Sequence, residues 1–222
     1  MMKSDPMLWL LQANDSAYPS GAYAHSFGLE ELVECGVVAT ATDLETFIEK
    51  QVIPSLLVFE VPFFAKAHAA AVAGDSEILL SLDQELDAWR LPAELRDASR
   101  RIGSQRLSLL VQLDPSPLVL QQQAIAPRSH HLVVTALELA ALPLEMAARA
   151  FAFQSVAGLG AAAMKLMRLG QNSCQQITRR SLVRLGEKMD RALCQEPDAW
   201  FNPLLEIASL RHARANSRLF IS

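Results

Sequence analysis

With 222 residues, 51% of them apolar and 20% charged, the chain is too hydrophobic to be intrinsically disordered and long enough to bury most of its unfolded surface. Its formal net charge of -4 excludes nucleic acid as a general partner. Three cysteines, Cys35, Cys174 and Cys194, without CxxC spacing exclude a disulfide framework and a zinc site of the usual kind, and fit a reducing compartment.

Helical periodicity runs along the whole chain. Asp5 can cap a short helix with Pro6 at its first position and Met7, Leu8, Leu10 and Leu11 behind it. Asn14–Gly21 (NDSAYPSG) is dense in turn formers and reads as a loop. A helix then runs to about Cys35, where Gly36 can supply a left-handed stop. Thr42 and Glu45 have the spacing of a capping box ahead of Leu44, Phe47, Ile48 and Val52. Ser55–Ala73 is apolar on nearly all sides, which predicts a central buried helix that Pro62 kinks or splits.

Ile78, Leu82, Leu86 and Trp89 mark the next helix. A long one follows over Pro92–Leu113, with Leu95, Ala98, Ile102, Leu109 and Leu113 inward. Beyond the break at Asp114–Pro117, helices are predicted over Leu118–Ala124, Ser129–Ala141 and Leu144–Leu169. Gly170 stops the last of these. Ser173 and Gln176 offer a second capping box for a helix carried by Ile177, Val183, Leu185, Met189 and Leu193, and a short helix spans Leu204–Arg211. There is no alternating strand pattern, repeat or Gly/Ser linker. The expected fold is therefore all-α: one domain over 1–222, a bundle of about ten helices, with a C-terminal tail over about 208–222 that orders by docking. Met1–Gln12 lacks the charged start and long apolar run of a signal peptide. No uncharged apolar stretch of about 18 residues reads as a membrane span. Phe151–Met164 comes closest, but it is short and contains Gln154. A soluble, cytoplasmic protein is predicted.

Charge is uneven. Gly28–Glu60 carries seven acids against Lys50, while Lys165 to the end carries ten bases against five acids. This predicts either internal pairing or separate partner surfaces. Signatures of catalysis are missing: no HExxH, GxSxG, CxxC pair, EF-hand loop or P-loop. Gly158-Leu-Gly160-Ala-Ala-Ala163 matches GxGxxA but lacks a preceding strand, so its small residues are read as letting two helices approach, or as thinning a helix at an interface. His130 and His131 are adjacent, so on a helix they point about 100° apart and cannot readily share a metal. His68, in an apolar helix, reads as a core or edge residue. No cofactor and no metal ligand set is expected.

Two segments do not read as ordinary core. Asn14–Glu30 (NDSAYPSGAYAHSFGLE) packs two tyrosines, a histidine and a phenylalanine into a loop-to-helix junction, where aromatics either plug the core or anchor a partner. Ala208–Ser222 (ASLRHARANSRLFIS) holds three arginines, no acid, and an apolar Leu219-Phe220-Ile221. Such an ending suits a tail held by its own bundle, by a partner, or by both.

These same segments carry a family resemblance. Leu10–Val38 (LLQANDSAYPSGAYAHSFGLEELVECGVV) resembles the N-terminal signature of the urease accessory protein UreF family, and Ile207-Ala-Ser-Leu-Arg-His212 with Ser217-Arg218-Leu219-Phe220 is similar to its ending. Between them, Glu94-Leu-Arg96-x-x-Ser-x-x-Ile-Gly103 and Leu169-Gly170-Gln171 with Gln175-Gln176 resemble its middle, in the same order along nearly the whole chain. Arg168 stands where the family often has proline, and no glycine follows His131. The resemblance implies an all-helical homodimer that binds the UreD/UreH-type accessory protein, recruits the UreG-type GTPase and meets the urease apoprotein to support nickel insertion. No nucleic acid or membrane takes part. It ties Tyr23 and Arg218 to assembling that complex; a planar guanidinium on a tail that orders on the UreD-type partner is further expected to lock the Tyr23 loop, with Leu219 and Phe220 as apolar anchors. His25, Ser26, Phe27, Arg211, His212, Leu219 and Phe220 are the further candidate partner-binding residues. Two rivals stand beside this scaffold: a helical enzyme using His25 with Ser20 and Ser26, and a metallochaperone carrying nickel directly.

Overall fold

The computed structural model describes residues 5–20, 25–198, 202–212 and 219–221. Tyr23 and Arg218 lie outside them, and so does the predicted lock between the two. Among the described residues there are ten helices and no strand, the all-α class expected.

Helix α1 (Pro6–Ala13) starts as read: the Asp5 carboxylate accepts from the Met7 and Leu8 amides and Pro6 occupies the first turn. Helix α2 (Leu29–Glu34) is shorter than its periodicity predicts. Phe27 (φ 52°) and Gly28 (φ 86°) both take left-handed backbone, so no helix can run through them. Gly36 (φ 74°) follows its end, as expected.

Helix α3 (Ala41–Ala73) corrects the sequence reading twice. Its capping box is Thr40 with Asp43, not Thr42 with Glu45. It also joins the segment of Leu44–Val52 to Ser55–Ala73 in one continuous helix, so of the two outcomes read for Pro62 the chain does not split there. Two widened π turns, Ile48–Val52 and Leu56–Glu60, each end two residues before a proline, at Pro54 and Pro62. A proline ring collides with the carbonyl four residues back and cannot bond to it, and a wider turn relieves both problems. Val58, the carbonyl that Pro62 leaves without its usual partner, accepts the Asp198 amide at 3.0 Å. By length and composition α3 could cross a membrane, but Val61, Phe63, Phe64 and Ala67 have no exposed surface and form its buried face.

Then come α4 (Ser76–Trp89), α5 (Ala93–Leu113), α6 (Pro117–Ile125), α7 (His131–Glu138), α8 (Leu144–Leu166), α9 (Gln171–Leu193) and α10 (Pro203–His212). Gly170 is the N-cap of α9, so the box predicted at Ser173 and Gln176 is not used. The inward stripe of α5 holds Ala98, Ile102, Leu107 and Leu110, while Leu113 faces out. Helix α7 is the axle of the bundle. Every residue from Leu132 to Leu139 is buried, and α3 and α5 pack against it.

Two glycines set close approaches. A Cβ on Gly103 of α5 would lie 2.0 Å from the Ser129 carbonyl oxygen. One on Gly160 of α8 would lie 2.9 Å from Cys174 Sγ on α9, so the small-residue stretch does let two helices meet closely. Part of the uneven charge is paired within the chain. Arg180 grips Glu45 through two bonds of 2.7 and 2.8 Å, and Arg184 reaches Glu49 at 2.9 Å. This is the internal-pairing alternative.

Candidate protein-docking site

The two segments that sequence alone cannot place as core meet each other, and Glu30 joins them. The left-handed pair Phe27–Gly28 folds the chain back so that the Leu29 amide bonds to the Ser26 carbonyl at 3.1 Å and α2 begins at once. Helix α10 packs against this turn: a Cβ on Gly28 would sit 3.5 Å from both Ala208 Cβ and Leu205 Cδ2, an ordinary contact, so it is the backbone at φ 86° and not the space that calls for glycine. Glu30, in the first turn of α2, thereby faces the last turn of α10.

Its carboxylate is used fully. Glu30 Oε2 accepts from His212 Nε2 at 2.9 Å and from the Phe220 amide at 2.9 Å, and Oε1 accepts from the Leu219 amide at 2.6 Å. The other ring nitrogen, His212 Nδ1, meets Glu94 Oε1 of α5 at 2.8 Å, and Ser209 donates to Glu94 Oε2 at 3.3 Å. Both imidazole nitrogens face carboxylate oxygens, an arrangement that favours the doubly protonated, cationic ring. Burial pulls the His212 pKa down, but the bonds and charges of Glu94 and Glu30 outweigh it, and the value lies above the ordinary histidine. Burial likewise pushes Glu30 up, and the Leu219 amide, His212 and the Phe220 amide together bring it below the ordinary glutamate. The carboxylates lie on different edges of the imidazole, so the three groups pair rather than converge on a point. Among the described residues no cluster of His, Cys, Asp or Glu is arranged to hold a metal.

The end of the chain is split by this clamp. Phe220 is buried, with Lys165 Nζ 5.2 Å from its ring centroid. Leu219 and Ile221 on either side are 65% and 47% exposed. Helix α10 divides in the same way: Ala208, Ser209 and His212 face in, while Ile207, Leu210 and Arg211 face out. Spaced three and four apart, those three share one helical face. The result is an apolar surface with a basic member on a segment whose inner side is firmly held.

The remaining candidates have other places. His25 is buried, and desolvation, followed by the charge of Arg101, lowers its pKa to about 4. Ser26 has no exposed surface, and its hydroxyl oxygen lies 3.4 Å from the Glu30 amide. An imidazole so acidic is a poor base at neutral pH, and the Ser26 hydroxyl is sealed from solvent. His130 and His131 diverge. His130 joins Ser99, Asp87 and Asp83, while His131 lies against Phe151. His68 bonds the Leu142 carbonyl from within the core.

A second polar knot was not legible beforehand. Arg106, fully buried, donates to Glu138 at 2.7 Å, to Gln154 at 3.1 Å and to the Ala13 carbonyl at 3.2 Å. Tyr18 donates to Glu138 and lies under the Arg106 guanidinium, and the Trp9 indole bonds the Glu138 carbonyl at 2.9 Å. This knot ties α1 and the first loop to the bundle, so Tyr18 plugs the core rather than anchoring a partner. The signal for it is Glu138 itself, a lone acid inside an apolar run.

Comparison with known proteins gives one family. The UreF family model matches residues 38–182. Proteins named urease accessory protein UreF are similar over almost their whole length: 32% identity to that of an Azoarcus strain, covering 98% of this chain and 96% of the relative, and 32% to that of Alkalilimnicola ehrlichii, covering 97% and 94%. The UreF of an Arthrobacter strain is 29% identical, covering 97% and 96%.

Proposed function

We propose that this chain, which belongs to the urease accessory protein UreF family, is a non-enzymatic scaffold in urease maturation. It acts in the cytoplasm as a homodimer. It binds the UreD/UreH-type accessory protein and recruits the UreG-type GTPase, supporting nickel insertion into the urease apoprotein. The docking face is the junction described above: the turn into α2, the outer side of α10 and the end of the chain, with Tyr23, Arg211, Arg218 and Leu219 among its contacts.

One observation carries the reading. Glu30 and His212 hold the inner side of the terminal segment while Leu219, Ile221, Leu210 and Ile207 stay exposed. Ordering the backbone beforehand removes a cost that a free tail would meet on binding. Exposed apolar side chains on a fixed frame suit a protein interface better than a chain end in solvent. The test is co-purification with the UreD-type protein, comparing the intact chain with one lacking Asn216–Ser222 and with Glu30→Ala. Both variants should lose the complex while keeping their helical content. Undiminished complex with the truncated chain refutes the assignment of this face.

A further inference from the structure

Beside the junction lies a cavity of about 240 Å³, walled by Phe47, Phe59, Ile102, Leu132 and Phe151. Most polar groups at its edge are already satisfied within the protein. Gln154 binds Arg106 and Ala13, Ser155 binds the Phe151 carbonyl, and Ser99 binds His130. Three nitrogens on the lining residues are not. Arg90 Nε, Asn202 Nδ2 and His131 Nε2 are buried and have no hydrogen-bond partner. Asn202 is the most telling, because it is only 6% exposed and its orientation is fixed. Its Oδ1 accepts the Leu205 amide at 3.1 Å to cap α10, so its NH₂ must point away from the helix. Asn202 Nδ2 and Arg90 Nε can only donate, and a buried donor left unmet is costly. His131 Nε2 donates in one tautomer and accepts in the other, so the two fixed donors are what call for a missing acceptor.

The acceptor is neutral. Glu60 lines the same cavity, 3.8 Å from Arg90 Nη2, so a carboxylate or phosphate would meet an acid as well as the guanidinium. The size is also informative. A cavity of roughly 150 Å³ holds benzene, and small-molecule pockets commonly start near 300 Å³. This one fits a single large side chain together with its own peptide group. Gly158 lies on the lining, and a Cβ there would meet nothing within 4 Å. Glycine inside a helix is less favourable than alanine. Gly158 is exposed at the rim and, unlike Gly160, is not required by a neighbouring helix, so it leaves the mouth of the cavity open.

We infer that this cavity is a socket for one aromatic or branched side chain of a partner polypeptide, whose main-chain carbonyl accepts from Asn202 Nδ2 and Arg90 Nε. Phe27 of the turn and Leu205 and Glu206 of α10 line it too, so the socket is continuous with the docking face and rests on that reading. It supplies the face with a deep anchor point of the kind that concentrates binding energy.

The experiment uses the full chain and N-acetyl-L-phenylalaninamide as probe, followed by amide and methyl NMR. The probe should move the resonances of Ile102, Leu132 and Asn202. Gly158→Trp, which puts an indole at the open mouth, should abolish those shifts and weaken affinity for the UreD-type protein about tenfold or more. Arg90→Lys keeps the charge, removes Nε and should weaken the probe several-fold. Gly158→Ala serves as the control for substitution at this position and should bind probe and partner as the native chain does. An unmoved cavity, or a Gly158→Trp chain that folds and binds both probe and partner like the native one, overturns the socket. If the native chain binds the probe at this cavity but not the UreD-type protein, the docking reading falls instead and the cavity assignment stands on the probe.

Discussion

Glu30 and His212 are 182 positions apart in the chain and 2.9 Å apart in the fold. One belongs to the junction after the first loop, the other to the last turn of α10. Their contact converts two separate sequence oddities into one surface. With Glu94 on the far ring nitrogen, it also makes the end of the chain sensitive to protonation.

The pH dependence follows from two opposite shifts. His212 is raised above its ordinary value of 6.5, so its contribution is fully present below that value and is lost as pH rises through the folded pKa. Glu30 is lowered below its ordinary 4.5, so its contribution is present above that value and is lost as pH falls through the folded pKa. The terminal segment should be held best between about 4.5 and 6.5 and loosen on either side. Protection of the Leu219 and Phe220 amides, corrected for intrinsic exchange, checks this. Protection that stays flat from pH 5 to 9 contradicts it. A local measurement is needed because burial raises Asp83 to about 6, which changes global stability over the same range.

Replacing Glu30 by glutamine keeps the shape and removes the charge. Three charge-assisted bonds weaken together, and one amide hydrogen now points at a donor. A loss of about 1.5–3 kcal/mol is expected from hydrogen bonds to charged groups, visible as a lower urea midpoint. Release of the terminal segment should accompany it. A Glu30→Gln chain as stable as the native one, with Phe220 still buried, shows that the carboxylate charge is not what holds the segment.

Much of this was legible in the sequence, for reasons that can be named. Element existence followed from apolar spacing, and the α1 cap from the Asp-Pro pair. The segment Glu94–Gly103, matched only as a family pattern, acquires a physical reason at almost every position. Glu94 binds His212, Arg96 bonds the Arg90 carbonyl, Ser99 bonds His130, Ile102 is core and Gly103 allows the approach of Ser129. What failed were features decided by tertiary contact. Thr42 and Thr40 are equally good caps by type; the helix starts at Thr40, which puts Asp43 in the box position and leaves Glu45 to pair with Arg180 on α9. Phe27 gives no warning of its left-handed backbone. Arg106 sits near Arg96, Arg100 and Arg101 on a helix that looks solvated, and only its long-range partners reveal that it is buried.

Arg106 offers the largest single-site effect. Arg106→Met leaves Glu138 buried without its cation, and removing one partner of a buried pair typically costs about 3–5 kcal/mol. Urea unfolding of the variant beside the native chain measures the loss. A loss below about 1 kcal/mol argues that the knot around Tyr18, Arg106 and Glu138 is not a unit.

The last prediction separates two glycines on one helix. At Gly160 an added methyl would stand 2.9 Å from Cys174 Sγ and 3.4 Å from Thr178 Oγ1, between two helices that cannot easily part, so Gly160→Ala should destabilise by about 1–3 kcal/mol. At Gly158, two residues earlier, the same methyl meets nothing, and the backbone is ordinary helix. Gly158→Ala should therefore stabilise by about 0.5–1 kcal/mol, through helix propensity and a less flexible unfolded chain. Thermal or urea unfolding of the two single variants gives the comparison directly. Opposite signs support the division of labour, with Gly160 serving the α8–α9 contact and Gly158 leaving the socket open. Equal losses at both sites show that α8 is packed tightly along both faces, and the open mouth would have to be abandoned.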